Sequence, residues 1–226
     1  MTPDLHLRTL FILDEHGRIR STREPRPAMG PIFTLVRGPS SCVWAMRADL
    51  ASDLATELGR LAAAEPPLHD PQCLPLHADA YMSLVGGQIA SGPAFLFPDE
   101  MTPATGVTIV DEVDLLKRHF SGWTADEVPE RSPIVAVFES GYPVSICFCA
   151  RSSEAAAEAG VETAVAFRGR GFAPRVTAAW AAAIRDTGRI PLYSTTWSNW
   201  ESREVALKLG LVQYASDWSL LGSLGS

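Results

Sequence analysis

The chain has 226 residues, 46% of them hydrophobic, and a net charge of −7. That is enough for one large or two small domains with a proper core, and too apolar for a disordered chain. The acidic balance argues against general nucleic-acid binding. No apolar run approaches the ~18–20 residues of a membrane span. The N-terminus resembles neither a signal nor a transit peptide, so a cytoplasmic protein that does not engage a membrane is expected.

Residues 5–47 read as strands: LRTLFIL, the turn EHGR, a stretch holding Pro25, Pro27 and Pro31, then PIFTLVRG and CVWAMR. Asp49 is placed to cap a helix from Leu50 to about Ala64, in which Leu50, Leu54, Leu58 and Leu61 share a face and which Pro66-Pro67 ends. Residues 65–76 carry four prolines and read as loop. HADAYMSLV fits helix or strand, and GPAFLFP fits a short strand. Asp111 opens a helix, EVDLLKRHF, that ends before Gly122.

From Pro133 the pattern sharpens. PIVAVFE, a turn at Ser140-Gly141 and YPVSICFCA form a hairpin whose near-continuous apolar strands predict cover on both faces. SSEAAAEAG fits a short helix or a loop, and VETAVAF reads as the next strand. A helix from Phe172 to about Thr187 places Phe172, Val176, Ala179/Trp180 and Ala183/Ile184 on one face, tolerates Pro174 in its first turn and closes at Gly188. PLYSTTW is a strand, Asn199-Trp200-Glu201-Ser202 opens a helix to Leu209, and Gly210-Leu211 caps it before the last strand, LVQYASDWSLL. The expected fold is mixed α/β (α+β): a central mixed sheet flanked by helices over residues 111–222, with an additional N-terminal α/β lobe over residues 1–110.

The four cysteines and five histidines match no metal spacing, so no metal is expected. Chemistry concentrates in residues 161–173, VETAVAFRGRGFA: a strand, a glycine-rich basic turn and a helix start. Amides at such a turn have no intrahelical partner, and the macrodipole adds positive potential. Glycines let the backbone approach an anion, and arginines add permanent charge. This is a device for gripping a phosphate.

Residues 133–220 resemble the GNAT superfamily of acyl-CoA-dependent N-acyltransferases, with its FR47-like branch as one candidate. Arg168-x-x-Gly171-x-Ala173 is similar to the superfamily's Q/R-x-x-G-x-G/A turn, Asn199 lies after the next strand, and Asn199-x-x-Ser202 leads to Lys208-Leu209-Gly210-Leu211. The resemblance implies transfer of an acetyl or other short acyl group from acyl-CoA, such as acetyl-CoA, to the amine of a small or amino-acid-like acceptor. It assigns the backbone of Thr163 and Val165 to pantetheine, Gly169, Arg170, Gly171, Phe172 and Ala173 to the pyrophosphate, and Arg168, Asn199 and Ser202 to further cofactor contacts.

Two positions depart from the pattern. Val165 stands where many relatives have Pro. Ala206 stands four before Gly210, where many members carry the Tyr that protonates the leaving thiolate. Glu162 is the best-placed base and Tyr214 the nearest phenol for the acid, against bland readings as a solvent-facing strand residue and a core tyrosine. Ser202 is an alternative stabiliser of the thiolate, although its helix-start spacing already accounts for it. Arg168 and Asn199 fit structural partners equally well, Asn199 as a helix N-cap. Residues 1–110 match no motif and are read as a degenerate GNAT-like half. A non-catalytic acyl-CoA sensor with the same fold is the alternative, and a nucleic-acid or nucleotide binder using RGRG is a third. Nothing in the sequence fixes the oligomeric state, and a homodimer is compatible with it.

Overall fold

The computed structural model of the chain describes residues 3–101 and 104–222, which divide into two compact units. The first gathers Met1–Phe95, Ser194–Trp200 and Gln213–Ser226, and the second Leu96–Tyr193 and Glu201–Val212.

The first unit begins with a helix, α1 (Pro3–Leu10), not the strand expected of LRTLFIL. Its His6, Leu7 and Leu10 face inward at helical spacing. The strands β1 (Phe11–Leu13) and β2 (Ile19–Thr22) form a two-stranded ribbon, and β3 (Phe33–Arg37) pairs antiparallel with β4 (Cys42–Met46). The predicted leucine-faced helix is α2 (Ser52–Ala62). Asp49 does not cap it: Ala51 is the N-cap, and the Asp49 carboxylate instead accepts from Arg47 Nε at 2.7 Å. HADAYMSLV resolves as a helix, α3 (Ala78–Val85), whose Tyr81 packs on Phe33. The strand around GPAFLFP is longer than expected, β5 (Gln88–Leu96).

In the second unit β6 (Thr108–Ile109) precedes α4 (Val113–Leu116), a shorter helix than predicted, and α5 (Glu127–Glu130). The hairpin forms as expected: β7 (Val135–Glu139) and β8 (Tyr142–Ser152) meet at Ser140 and Gly141, both at positive φ as a primed two-residue turn requires. The segment left open between helix and loop is most of a strand, β9 (Ala156–Thr163), which takes eleven-residue β8 as its antiparallel neighbour. VETAVAF therefore splits. Its start ends β9, and Val165–Phe167 wind into a 3-10 turn.

The chain then enters α6 (Phe172–Asp186), which buries Val176, Thr177, Trp180, Ala181 and Ile184. After β10 (Ile190–Ser194), α7 (Trp200–Lys208) closes as predicted, with Gly210 N–H bonded to Leu207 O and Leu211 N–H to Ala206 O. Last comes β11 (Val212–Leu221). Strand order is β4-β3-β11-β5 in the first unit and β10-β9-β8-β7-β6 in the second. The second unit's sheet is mixed, because β10 is parallel to β9 while β9, β8, β7 and β6 run antiparallel.

Candidate functional site

The loop from Thr163 to Phe172 is built for an anion. Gly169 and Gly171 both take the left-handed backbone, at φ +75° and +76°. A Cβ on either would have no heavy atom within 4 Å, so open space stands beside both. Gly171 is the N-cap of α6 and brings no side-chain cap to the first-turn amides, which begin at Phe172 and Ala173. A fifteen-residue helix therefore presents its positive end at an open glycine bend.

The two arginines of the bend behave differently. Arg168 Nε donates to Thr163 O at 3.3 Å, and its Nη1 lies 3.4 Å from Glu201 Oε1, tying the end of β9 to the first turn of α7. Arg170 donates to Ala166 O at 3.3 Å and lies 5.0 Å above the Phe167 ring, whose edge meets His119 at 5.7 Å.

Beside this loop β9 and β10 part. Their parallel register runs from Ile190↔Ala156 to Leu192↔Glu158, while β9 continues to Thr163. Glu162 lies on that continuing segment, opposite Ile146, and Phe148 lies opposite Gly160 on the same face. Arg131 is held 5.2 Å over the Phe148 ring and 5.5 Å over Trp123, with Glu127 at 3.8 Å. Glu162 keeps solvent-exposed surface, yet the protein crowding its carboxyl raises its pKa. The charge of Arg131 opposes that rise only in part. A carboxylate with a raised pKa is suited to take up a proton. The Thr163 hydroxyl is 2.8 Å from that of Ser145. Val165 stands off the strand, in the 3-10 turn, and is exposed.

Ser202, in the first turns of α7, has its hydroxyl 2.7 Å from the phenol of Tyr193 on β10. Sequence reasoning passed over Tyr193, because its partner belongs to another element and no spacing links the two. Burial pushes the Tyr193 phenol up to about 12. Ala206 is buried at 2% exposure.

The second unit thus holds Glu162, Thr163, Val165, Arg168, Gly169, Arg170, Gly171, Phe172, Ala173 and Ser202. Asn199 and Tyr214 belong to the first. There the exposed Asn199 donates its backbone N–H to Thr196 O at 3.1 Å, and the Tyr214 hydroxyl is 2.8 Å from His6 Nδ1. Among the described residues no group of three His, Cys, Asp or Glu could hold a metal ion, and no helix is long and apolar enough to cross a membrane.

An open glycine bend at a helix start, beside two diverging parallel strands, sits inside residues 134–219, which match the family model of the GNAT acetyltransferases. This segment belongs to the GNAT family. A GNAT-family acetyltransferase from Novosphingobium aromaticivorans shares the fold of the GNAT domain, with a TM-score of 0.50 at 21% identity over 61% of this chain and 66% of that one. The present chain thus spans just under two thirds of that relative's length. A GCN5-related N-acetyltransferase-like protein from Streptococcus suis aligns at a TM-score of 0.49 and 16% identity, over 84% of each chain. A tandem GNAT protein from the clavulanic acid biosynthesis pathway aligns at 0.49 and 13% identity, over 99% of this chain and 89% of that one. No curated protein sequence matches the chain significantly.

Proposed function

We propose that the chain is a cytoplasmic N-acyltransferase that moves an acetyl or other short acyl group from acyl-CoA directly to the amine of a small or amino-acid-like acceptor. One observation carries the reading: the glycine bend, with two left-handed glycines open to solvent at an uncapped helix start, stands where β9 and β10 separate. Four free cysteines agree with a reducing compartment.

Gly169, Arg170, Gly171, Phe172 and Ala173 would receive the pyrophosphate, and β9 beyond Glu158 would align the pantetheine arm. When bound, acyl-CoA supplies an activated carbonyl and a thiolate leaving group. Glu162 takes the proton that the attacking ammonium must lose. Arg131, held over the Phe148 ring, sets a positive charge on its flank. Arg168, committed to Thr163 O and Glu201, holds the bend in place. Residues 1–110, which supply most of the first unit, are a degenerate GNAT-like half.

Isothermal titration with coenzyme A tests this. Binding is expected within the range of enzyme substrates, about 1 μM–1 mM, and absence of heat at millimolar ligand overturns the reading. The methyl side chain and burial of Ala206 favour a second reading, a non-catalytic acyl-CoA sensor. Binding without thiol release across a panel of amines selects the sensor.

A further inference from the structure

We propose that the acceptor is an α-amino acid with a free carboxylate, and that the guanidinium of Arg131 seats this carboxylate while Glu162 faces the amine. The proposal rests on the acyl-transfer reading above and deepens it by committing the acceptor to one class.

Arg131 is fixed by its backbone and by aromatic rings, and the polar edge of its side chain is unspent. Its backbone N–H donates to Glu127 O and its carbonyl accepts from Cys149 N–H, both at 2.9 Å, which ties the end of α5 to β8. The guanidinium lies 5.2 Å over Phe148 and 5.5 Å over Trp123, two buried rings that meet edge-on at 5.0 Å. Among the described residues its N–H groups make no hydrogen bond, and the Glu127 carboxylate stands off at 3.8 Å. Its side chain keeps 19% of its surface in solvent. A planar fork held by packing and left unbonded at its edge is a receptor for a planar anion. With Glu127 offsetting part of its charge, it suits a singly charged carboxylate better than a phosphate dianion.

Glu162 supplies the other end of the seat. The Phe148 ring lies across Gly160, and Glu162 follows two residues on along β9, on the same face. Two strand steps are about 6.6 Å. Two hydrogen bonds of about 2.9 Å each, joined by the short N–Cα–C link of an α-amino acid, bridge that interval. The charge of Arg131 also reaches the Glu162 carboxyl. A cation and a carboxylate side by side complement a zwitterion, whereas an amine without a carboxylate would leave Arg131 facing an ammonium alone. The carboxylate makes and breaks no bond. The amine nitrogen bonds to the carbonyl carbon, the C–S pair goes to sulfur, one ammonium proton passes to Glu162 and a second ends on the departing sulfur. The product is an N-acyl amino acid.

The test compares matched acceptors. With acetyl-CoA saturating, thiol release by the full chain is measured for the standard amino acids and for the same amino acids as α-carboxamides, which keep the amine and lose the carboxylate. The wild-type chain is expected to prefer the acid in kcat/KM. That preference should fall about 10–100-fold in Arg131→Met, through a raised KM for the acid, and by less in Arg131→Lys, which keeps the charge and loses the fork. Each variant is compared with itself, so a loss of folded protein cancels, and a merely structural arginine would leave the ratio where it was. A wild-type chain without preference for the acid, a preference that survives in Arg131→Met, or thiol release with no amino acid overturns the carboxylate seat. Thiol release with other amines would then leave the acyl-transfer reading standing, and failure to bind coenzyme A in calorimetry overturns both.

Discussion

The ring of Phe148 lies across Gly160, its partner on β9, so closely that a Cβ there would stand 2.6 Å from ring atom Cε2. A glycine inside a strand is weakening by itself, and here the space it yields is filled by an aromatic ring. That ring carries Arg131 on one face and meets Trp123 edge-on at 5.0 Å, so one missing methyl sets the wall beside Glu162. Gly160→Ala should force the ring aside at an overpacking cost of about 1–3 kcal/mol. At about 2–4 °C per kcal/mol for a chain of this size, calorimetry should record a Tm lower by several degrees. Transfer activity should fall with it, because the displaced ring carries Arg131 away from Glu162.

Glu162 makes a prediction about pH. Crowding raises its carboxyl pKa in the folded chain above the unfolded value. Its neutral form is therefore favoured by folding. The stabilising contribution is full below the unfolded pKa and is lost as pH rises through the folded one. Glu162→Gln mimics the neutral form. Chemical denaturation should find it more stable than wild type at neutral pH, with the difference vanishing in acid. Its kcat for acyl transfer should drop by about 10²–10⁴-fold, the range of a lost general base, with the KM for acyl-CoA unchanged. Wild-type activity should decline as pH falls through the raised pKa. Equal activity in the variant would remove Glu162 from the chemistry.

The glycine bend has an internal control. Gly171 and Gly188 both sit at left-handed φ, +76° and +78°, and a Cβ on either meets no atom within 4 Å. Alanine at either should cost about 1–2 kcal/mol for the left-handed backbone. Gly171 opens α6 where the phosphate is proposed, and Gly188 follows its other end. Coenzyme A affinity should fall at least about tenfold, or 1.4 kcal/mol, in Gly171→Ala and stay unchanged in Gly188→Ala. Matching losses measured by titration calorimetry would make the bend merely structural.

The parts of this fold legible in the sequence were those with local causes. Gly171, Gly188 and Gly210 mark helix ends because a left-handed residue is needed there, and Val176, Trp180 and Ile184 mark the buried face of α6 by spacing alone. The alanine-rich start of β9 was ambiguous because alanine favours helix, while pairing with β8 and β10 fixes it as strand. LRTLFIL reads as strand, yet it straddles a helix and a strand, with its break at Leu10–Phe11. In the site, the bend was visible as consecutive residues. The Tyr193–Ser202 pair and the Arg168–Glu201 tie were not, because each joins elements through space.

Tyr214 decides between a chemical and a structural phenol. Its hydroxyl is 2.8 Å from Nδ1 of His6, a residue wholly buried on α1, whose Nε2 stands 4.0 Å from Asp217 Oδ2. Tyr214→Phe keeps the ring and removes the oxygen, so His6 Nδ1 loses this partner inside the protein. A buried polar group stripped of its partner costs about 1–3 kcal/mol, and calorimetry should show a lower Tm. A phenol serving that network leaves kcat and the KM for acyl-CoA at wild-type values once the variant is assayed below its transition. His6→Phe should lose stability by a similar amount, and the double variant by less than the sum, since both remove one interaction. A drop in kcat of a hundredfold or more in Tyr214→Phe, about 2.7 kcal/mol of barrier, with Tm unchanged would instead overturn the structural reading of this phenol.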